Sequence, residues 1–364
     1  MTLTLSLRAL PLRVRRRLQQ PTKKGEDQAL ARAGELPPLK TVALPRVRPD
    51  HVLALSDQGW TTIELDRHPS DSLHSSYLHL LQASRAFFAM PQEYKSKFRT
   101  QCASEEGWSY VEGEKEFITL RTLHNTPREL QEAAARYWSE ASGLSNETLG
   151  KVAESLDLPA EALTVYSKPC TALGAEETAT MLRLFRYEAS RGTQSRILAE
   201  SHADLGLLSL VMGDKPGLEV RDTRNNLWFS IEKSYESPKG SLLVGRQLER
   251  LSNGRYNAGN HRVCSYPNDA SISHETGISP LGYRYSIVLV LRAHLPIQIN
   301  TDELTTDITG SFPAPLKGIT ASDLFKEIHS SHFNVNASTK EREEQKRRLA
   351  ELDRRDNRAN SWRI

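Results

Sequence analysis

From about residue 179 onward the chain breaks into short apolar segments separated by turns: MLRLFRYE, LLSLVM, GLEVRD, LWFSIE, SLLVG, HRVCSY and YRYSIVLVLRAH. Such a series separated by turns reads as a β-sandwich or barrel. The last segment is the most strand-like, and its period-2 alternation places Arg284, Ser286 and Val288 on one face. A guanidinium and a hydroxyl on the inner face of an apolar strand are costly unless an anion meets them. An arginine at an exposed sheet edge is the plainer alternative.

Upstream the pattern is helical. SLHSSYLHLLQASRAFFAM carries Leu73, Tyr77, Leu80, Leu81 and Phe88 at helical spacing, interrupted only by the small Ser84. Thr126-Pro127-Arg128-Glu129 supplies a cap, a first-turn proline and a capping acid ahead of LQEAAARYW. SNETLGKVAESLDL is a further helical candidate. Near the carboxyl end, Thr320 to Asp323 and Ser338 to Glu341 form two more capping patterns. The expected organisation is a basic extension over 1–35, a helix-rich region over 36–175, a strand-rich core over 176–300 and helices over 301–364 that can act as a lid. This is a mixed α/β chain.

Its chemistry resides in three dispersed residues. His202 and Asp204 in AESHADLGLLSLVM precede an apolar run, so period-2 spacing points both the same way along an expected strand. His261 opens HRVCSYP after the turn-rich RLSNGRYNAGN. Two imidazoles and a carboxylate can occupy one face of an octahedral Fe(II) and leave positions open. Zinc accepts the same donors, and a hydrolase on that metal is a second chemical possibility.

The order and context of these residues resemble the isopenicillin N synthase-like group of iron(II)/2-oxoglutarate-dependent dioxygenases. The resemblance runs through ALSDQGWTTIEL, SRAFFAMPQEYKSKF, EGEKEFITLR, HADLGLLSL, GLEVRD, SPKGSLLVGRQLERLSNGRYNAGNHRV and RYSIVLVL. It implies a double-stranded β-helix (jelly-roll) core. It implies iron ligation by His202, Asp204 and His261, and a grip on the distal carboxylate of 2-oxoglutarate by Arg284 and Ser286, with Tyr187 contacting the same co-substrate. The implied reaction is hydroxylation of a small organic molecule by O2, releasing succinate and CO2. Alternatives on the same site are desaturation or ring closure, including an oxidase that needs no 2-oxoglutarate, and a non-catalytic binding protein on the same scaffold. Tyr110, Phe117 and Arg121 in GWSYVEGEKEFITLR fall where the family lines its substrate pocket, and their mixture of hydroxyl, apolar wall and cation suits a small, amino-acid-derived acid. Phe325, with Ile328 and Phe333, is the corresponding candidate in the carboxyl-terminal lid. The chain departs from the family in carrying Phe185 in place of an asparagine, Gly245-Arg246 in place of an Asn and Asp, and an inserted NDASISHETGISPLG between His261 and Arg284.

A formal charge of +3, with no basic stripe interleaved with aromatics, argues against a nucleic-acid groove. No apolar run has the length to span a bilayer, so no membrane association is expected. Cys102, Cys170 and Cys264 have no metal spacing and suit a reducing compartment. A cytoplasmic monomer engaged in secondary metabolism is expected. Residues 1–25, with Arg8, Arg13, Arg15, Arg16, Arg17, Lys23 and Lys24 and no acid, leave a mitochondrial presequence as the alternative, although Pro11 interrupts any early helix.

Overall fold

The computed structural model describes residues 49–348 except 67, 69, 102–103, 175–177, 190–193, 223–224, 268–281 and 331. The basic extension, Cys102 and nearly all of the insertion before Arg284 therefore lie outside the described residues. The helix α1 (Pro49–Gln58) leads into β1 (Trp60–Glu64). After α2 (Ser72–Ala89), the hairpin β2 (Gly107–Val111) and β3 (Lys115–Leu120) precedes the long helix α3 (Arg128–Ser155) and the short α4 (Glu161–Ser167).

Two sheets follow from the strand-rich half. The larger has the order β1-β9-β6-β11-β4-β3-β2, with β4 (Met181–Tyr187), β6 (Leu208–Gly213), β9 (Lys239–Val244) and β11 (Arg284–Leu291) at its centre. The smaller has the order β5-β10-β7-β8, formed by β5 (Arg196–His202), β7 (Leu218–Asp222), β8 (Leu227–Phe229) and β10 (His261–Ser265). Neighbouring strands pair antiparallel throughout. This is the face-to-face double sheet of a jelly roll. The strands β1, β2 and β3 from the helix-rich region extend its larger sheet.

The two faces of the larger sheet have different partners. Ile287, Leu289 and Leu291 of β11 share a core with Tyr77 and Leu80 of α2 and with Tyr137 and Trp138 of α3. Each such fully buried side chain contributes roughly 1.5–3 kcal/mol. The opposite face carries Tyr187, Phe185 and Phe117, which pack on Leu198, Ala199 and Val263 of the smaller sheet. Helices thus back the larger sheet, and the cup lies between the sheets.

Some local expectations change. The segments read as separate helices around LQEAAARYW and SNETLGKVAESLDL are one helix, α3, because Ala141, Ser142 and Ser145 keep a buried face continuous past Gly143. Its expected reciprocal cap does not form. Thr126 Oγ1 donates back to Thr122 O (2.7 Å), and Glu129 instead accepts from the Tyr94 hydroxyl (3.1 Å). The boxes at Thr320/Asp323 and Ser338/Glu341 do form, each through reciprocal backbone and side-chain bonds. The first precedes α5 (Ala321–Ser330); residues 339–348 are helical after the second. Arg342 and Lys346 of this last segment ion-pair with Glu200 on β5 (3.8 and 2.6 Å), and Arg342 also pairs with Glu114 (2.6 Å).

Candidate metal centre and co-substrate pocket

His202 and Asp204 do not share a strand with the apolar run that follows them. His202 closes β5 in the smaller sheet, and Asp204 lies in the connection that crosses to β6 in the larger one. The crossing is tight: a Cβ at Gly206 would lie 2.5 Å from Leu291 O. The first turn of a short helix (Arg246–Leu251) ties it down, as Arg246 N donates to Asp204 O (2.8 Å) and Gln247 N to Gly206 O (2.9 Å). His261 opens β10 and is the ladder partner of His202. The polar residues at i and i+2 therefore meet their third member across a strand pair.

The donor atoms of His202, Asp204 and His261 all lie within 4.8 Å of one another. Each imidazole Nδ1 faces a carbonyl, Glu200 O for His202 (2.8 Å) and Gly259 O for His261 (3.0 Å). A carbonyl only accepts, so each Nδ1 carries the proton and each Nε2 presents a lone pair toward Asp204, 4.0 Å away in both cases. Burial, then the adjacent His261, pushes His202 down to about 3, which keeps its ring neutral. Burial opposes the charge on Asp204, but His261 and His202 outweigh it and hold the carboxyl below its usual range. Asp204 Oδ2 is buried with no hydrogen-bond partner. A neutral N,N pair beside an orphaned carboxylate oxygen fits a divalent first-row cation.

The inner face of the larger sheet lies opposite. Arg284 pairs in register with Tyr187, and Ser286 with Phe185. Arg284 Nε donates to Lys215 O (2.9 Å), its Nη2 reaches both oxygens of Glu232 (2.9 Å each), and its Nη1 is buried without a partner among the described residues. Its guanidinium sits 5.5 Å from the centre of the Tyr187 ring. Burial raises the Tyr187 hydroxyl above its ordinary range, opposed by Arg284 and Arg183. Ser286 Oγ faces Met212 O at 3.4 Å.

The expected substrate residues separate. Phe117 lies on the cup face, 5.5 Å from Phe185. Tyr110 pairs with Glu116 on the opposite face of the hairpin, is 46% exposed and packs on Trp108. Arg121 donates through Nε to Thr178 O (2.9 Å). Phe325 of α5 is half-buried under the guanidinium of Arg292, 4.8 Å from the ring centre.

Three groups went unread in the sequence. Arg183 on β4 is in register with Thr119 and Val288, hence on the cup face; its Nε donates to Thr119 Oγ1 (2.9 Å), and Phe117 and Phe185 flank it at 5.6 and 6.0 Å. Among the described residues no carboxylate lies within ion-pairing distance of it. Its alternation is visible in MLRLFRYE, but nothing local distinguishes it from a strand arginine facing solvent. His332 lies where burial pushes its imidazole down to about 4, against the pull of Asp204. Glu232, in a single turn after β8, carried no sequence signal at all.

Residues 178–293 match the family model of the 2OG-Fe(II) oxygenase superfamily. The matched stretch is about a third of the chain and contains the central strands of the jelly roll and the His202/Asp204/His261 cluster. The sexual differentiation process protein isp7 of Schizosaccharomyces pombe is 25% identical over 214 residues, 58% of this chain and 45% of that protein. The rice 2-oxoglutarate-dependent dioxygenase 11 is 27% identical over 205 residues, 51% of this chain and 55% of that protein. The chain thus spans about half the length of these curated relatives. Among solved structures, a 2OG-Fe(II) oxygenase family protein from Caulobacter crescentus superposes with a TM-score of 0.59 at 19% identity, over 77% of this chain and 92% of that one. Among the described residues no helix is long and apolar enough to cross a membrane.

Proposed function

We propose that this protein is an Fe(II)/2-oxoglutarate-dependent dioxygenase of the isopenicillin N synthase-like group that hydroxylates a small organic acid, with succinate and CO2 as co-products. The observation that carries the reading is the convergence of His202, Asp204 and His261 on one cup whose opposite wall presents the orphaned Nη1 of Arg284. His202 and His261 would ligate through Nε2 and Asp204 through a carboxylate oxygen. When bound, Fe(II) supplies O2 activation coupled to oxidative decarboxylation of 2-oxoglutarate.

The chain's own residues do the rest. The carbonyls of Glu200 and Gly259 fix both imidazole rings and their tautomers. Arg284 Nη1 is the donor left for the far carboxylate of the co-substrate, and Tyr187 walls that end. Phe117, Phe185, Leu198 and Val263 exclude water from the cup. Arg183, a cation between two aromatic rings, supports the choice of an acid as substrate. This role replaces the one expected of Arg121, whose Nε is engaged by Thr178 O.

The test supplies purified protein with Fe(II), 2-oxoglutarate and O2 and follows succinate across a panel of small carboxylic acids and their esters. Succinate formation that an acid stimulates and its ester does not is the expected result. Absence of 2-oxoglutarate-dependent succinate from protein shown to hold iron would overturn the proposal.

A further inference from the structure

Arg284 already has an anion of its own. Glu232 lies in the turn Ile231–Ser234, and its carboxylate accepts from Arg284 Nη2 through both oxygens at 2.9 Å. Gly217 N and Leu218 N each donate to Glu232 Oε2 at 2.7 Å, so the acid is anchored independently of the arginine. The side chains of Arg284 and Glu232 are 8% and 5% exposed. The backbone is shaped around the pair: a Cβ at Gly213 would lie 2.6 Å from both Arg284 Nη2 and Glu232 Oε1. Of the five N–H bonds of a guanidinium, Nε's is taken by Lys215 O and Nη2's face Glu232, which leaves only the two on Nη1.

We propose that Glu232 is a resident counter-anion that sets the selectivity of the cup for its 2-oxo acid. The inference rests on the 2-oxoglutarate reading above. With Arg284 neutralised and half its fork engaged, the far carboxylate of a 2-oxo dicarboxylic acid meets one nitrogen instead of a bidentate pair, beside a like charge. The cup therefore discriminates weakly between 2-oxoglutarate and 2-oxopentanoate, a 2-oxo acid of the same length whose far end is a methyl group. Removing the Glu232 charge frees Nη2 and leaves a buried guanidinium needing a counter-charge, which the dicarboxylic acid alone supplies.

The experiment uses the full chain loaded with Mn(II), which does not turn over, and measures the binding of both 2-oxo acids by calorimetry in wild type and Glu232→Gln. The ratio of the two dissociation constants should shift toward 2-oxoglutarate by about tenfold in the variant, the value of one added charge-assisted bond. The thermal midpoint of Glu232→Gln should also rise more on adding 2-oxoglutarate than that of wild type. Should Glu232→Gln fail to fold, Glu232→Asp, too short to reach both Arg284 and the two amides, should shift the ratio in the same direction by a smaller factor. An unchanged ratio, or weaker 2-oxoglutarate binding in the variant, overturns the inference and leaves the co-substrate reading standing. If Mn(II) binds and neither protein takes up 2-oxoglutarate, both fall.

Discussion

Lys115 is a cation at the wall of the cup that neutral pH barely sustains. It lies in register with Tyr187, is 2% exposed, and among the described residues its Nζ donates to two carbonyls, Val335 O at 2.9 Å and Leu198 O at 3.4 Å. Burial pushes its amine down from 10.5 to about 7; Glu114 and Glu200 pull it up, while Arg342 and Arg183 add to the depression. At about 1.36 kcal/mol per tenfold, the gap amounts to about 5 kcal/mol lost in burying the charged form. Between pH 7 and 10.5 the unfolded chain binds the proton that the folded chain has released, so stability rises with pH through that window. Below pH 7 both states are protonated and the penalty is constant. Lys115→Met removes the penalty but leaves Val335 O unpaired, at about 1–3 kcal/mol. The variant should therefore be the more stable at pH 6.5, by about 2 kcal/mol, and should lose about 2 kcal/mol of that advantage between pH 7 and pH 9, as proton linkage requires. Urea unfolding of both proteins at pH 6.5, 7, 8 and 9 measures the difference free of every other titrating group. Curves whose separation changes by less than about 0.5 kcal/mol across that range would falsify a neutral, buried Lys115, since linkage fixes the slope.

Two further outcomes follow from the site. Saturating Mn(II) or Fe(II) should raise the thermal midpoint of wild type, by about 2.7 kcal/mol of added stability at one hundred times the dissociation constant, and a chelator should reverse it; Asp204→Ala should show no such shift, and a full shift in that variant would remove Asp204 from the ligand set. Gly213→Ala should cost about 1–3 kcal/mol by forcing a methyl against the Arg284–Glu232 pair, seen as a lower urea midpoint at unchanged slope; a neutral effect would mean the pair has room to move.

Of the strands legible in the sequence, β4, β6, β9 and β11 have a face buried against helices or the second sheet, which imposes apolar runs on them, whereas β8 is legible from LWF although Leu227 and Phe229 are exposed. β5 carries no apolar run because it lies at the edge of the smaller sheet and is largely polar, with only Leu198 and Ala199 buried. The metal cluster was legible from residue type and order, although its placement was not: the crossing between sheets at Asp204 depends on the close approach of Gly206 to Leu291, a long-range contact. The failed cap at Thr126 has the same origin, since Tyr94 claims Glu129 from elsewhere in the fold. Glu232 and Arg183 acquire meaning only from what they face, and no local pattern encodes that.

The carboxyl-terminal segment has a consequence for solubility. Among the described residues β5 has a strand neighbour on one side only, β10, and a free strand edge is where a second chain can add. Arg342 and Lys346 hold the last described helix to Glu200 in the middle of that strand, while Lys115 grips Val335 at the start of the same segment. These contacts tie the tail to an edge strand, so a chain lacking it should self-associate more readily than the full chain, as light scattering would show.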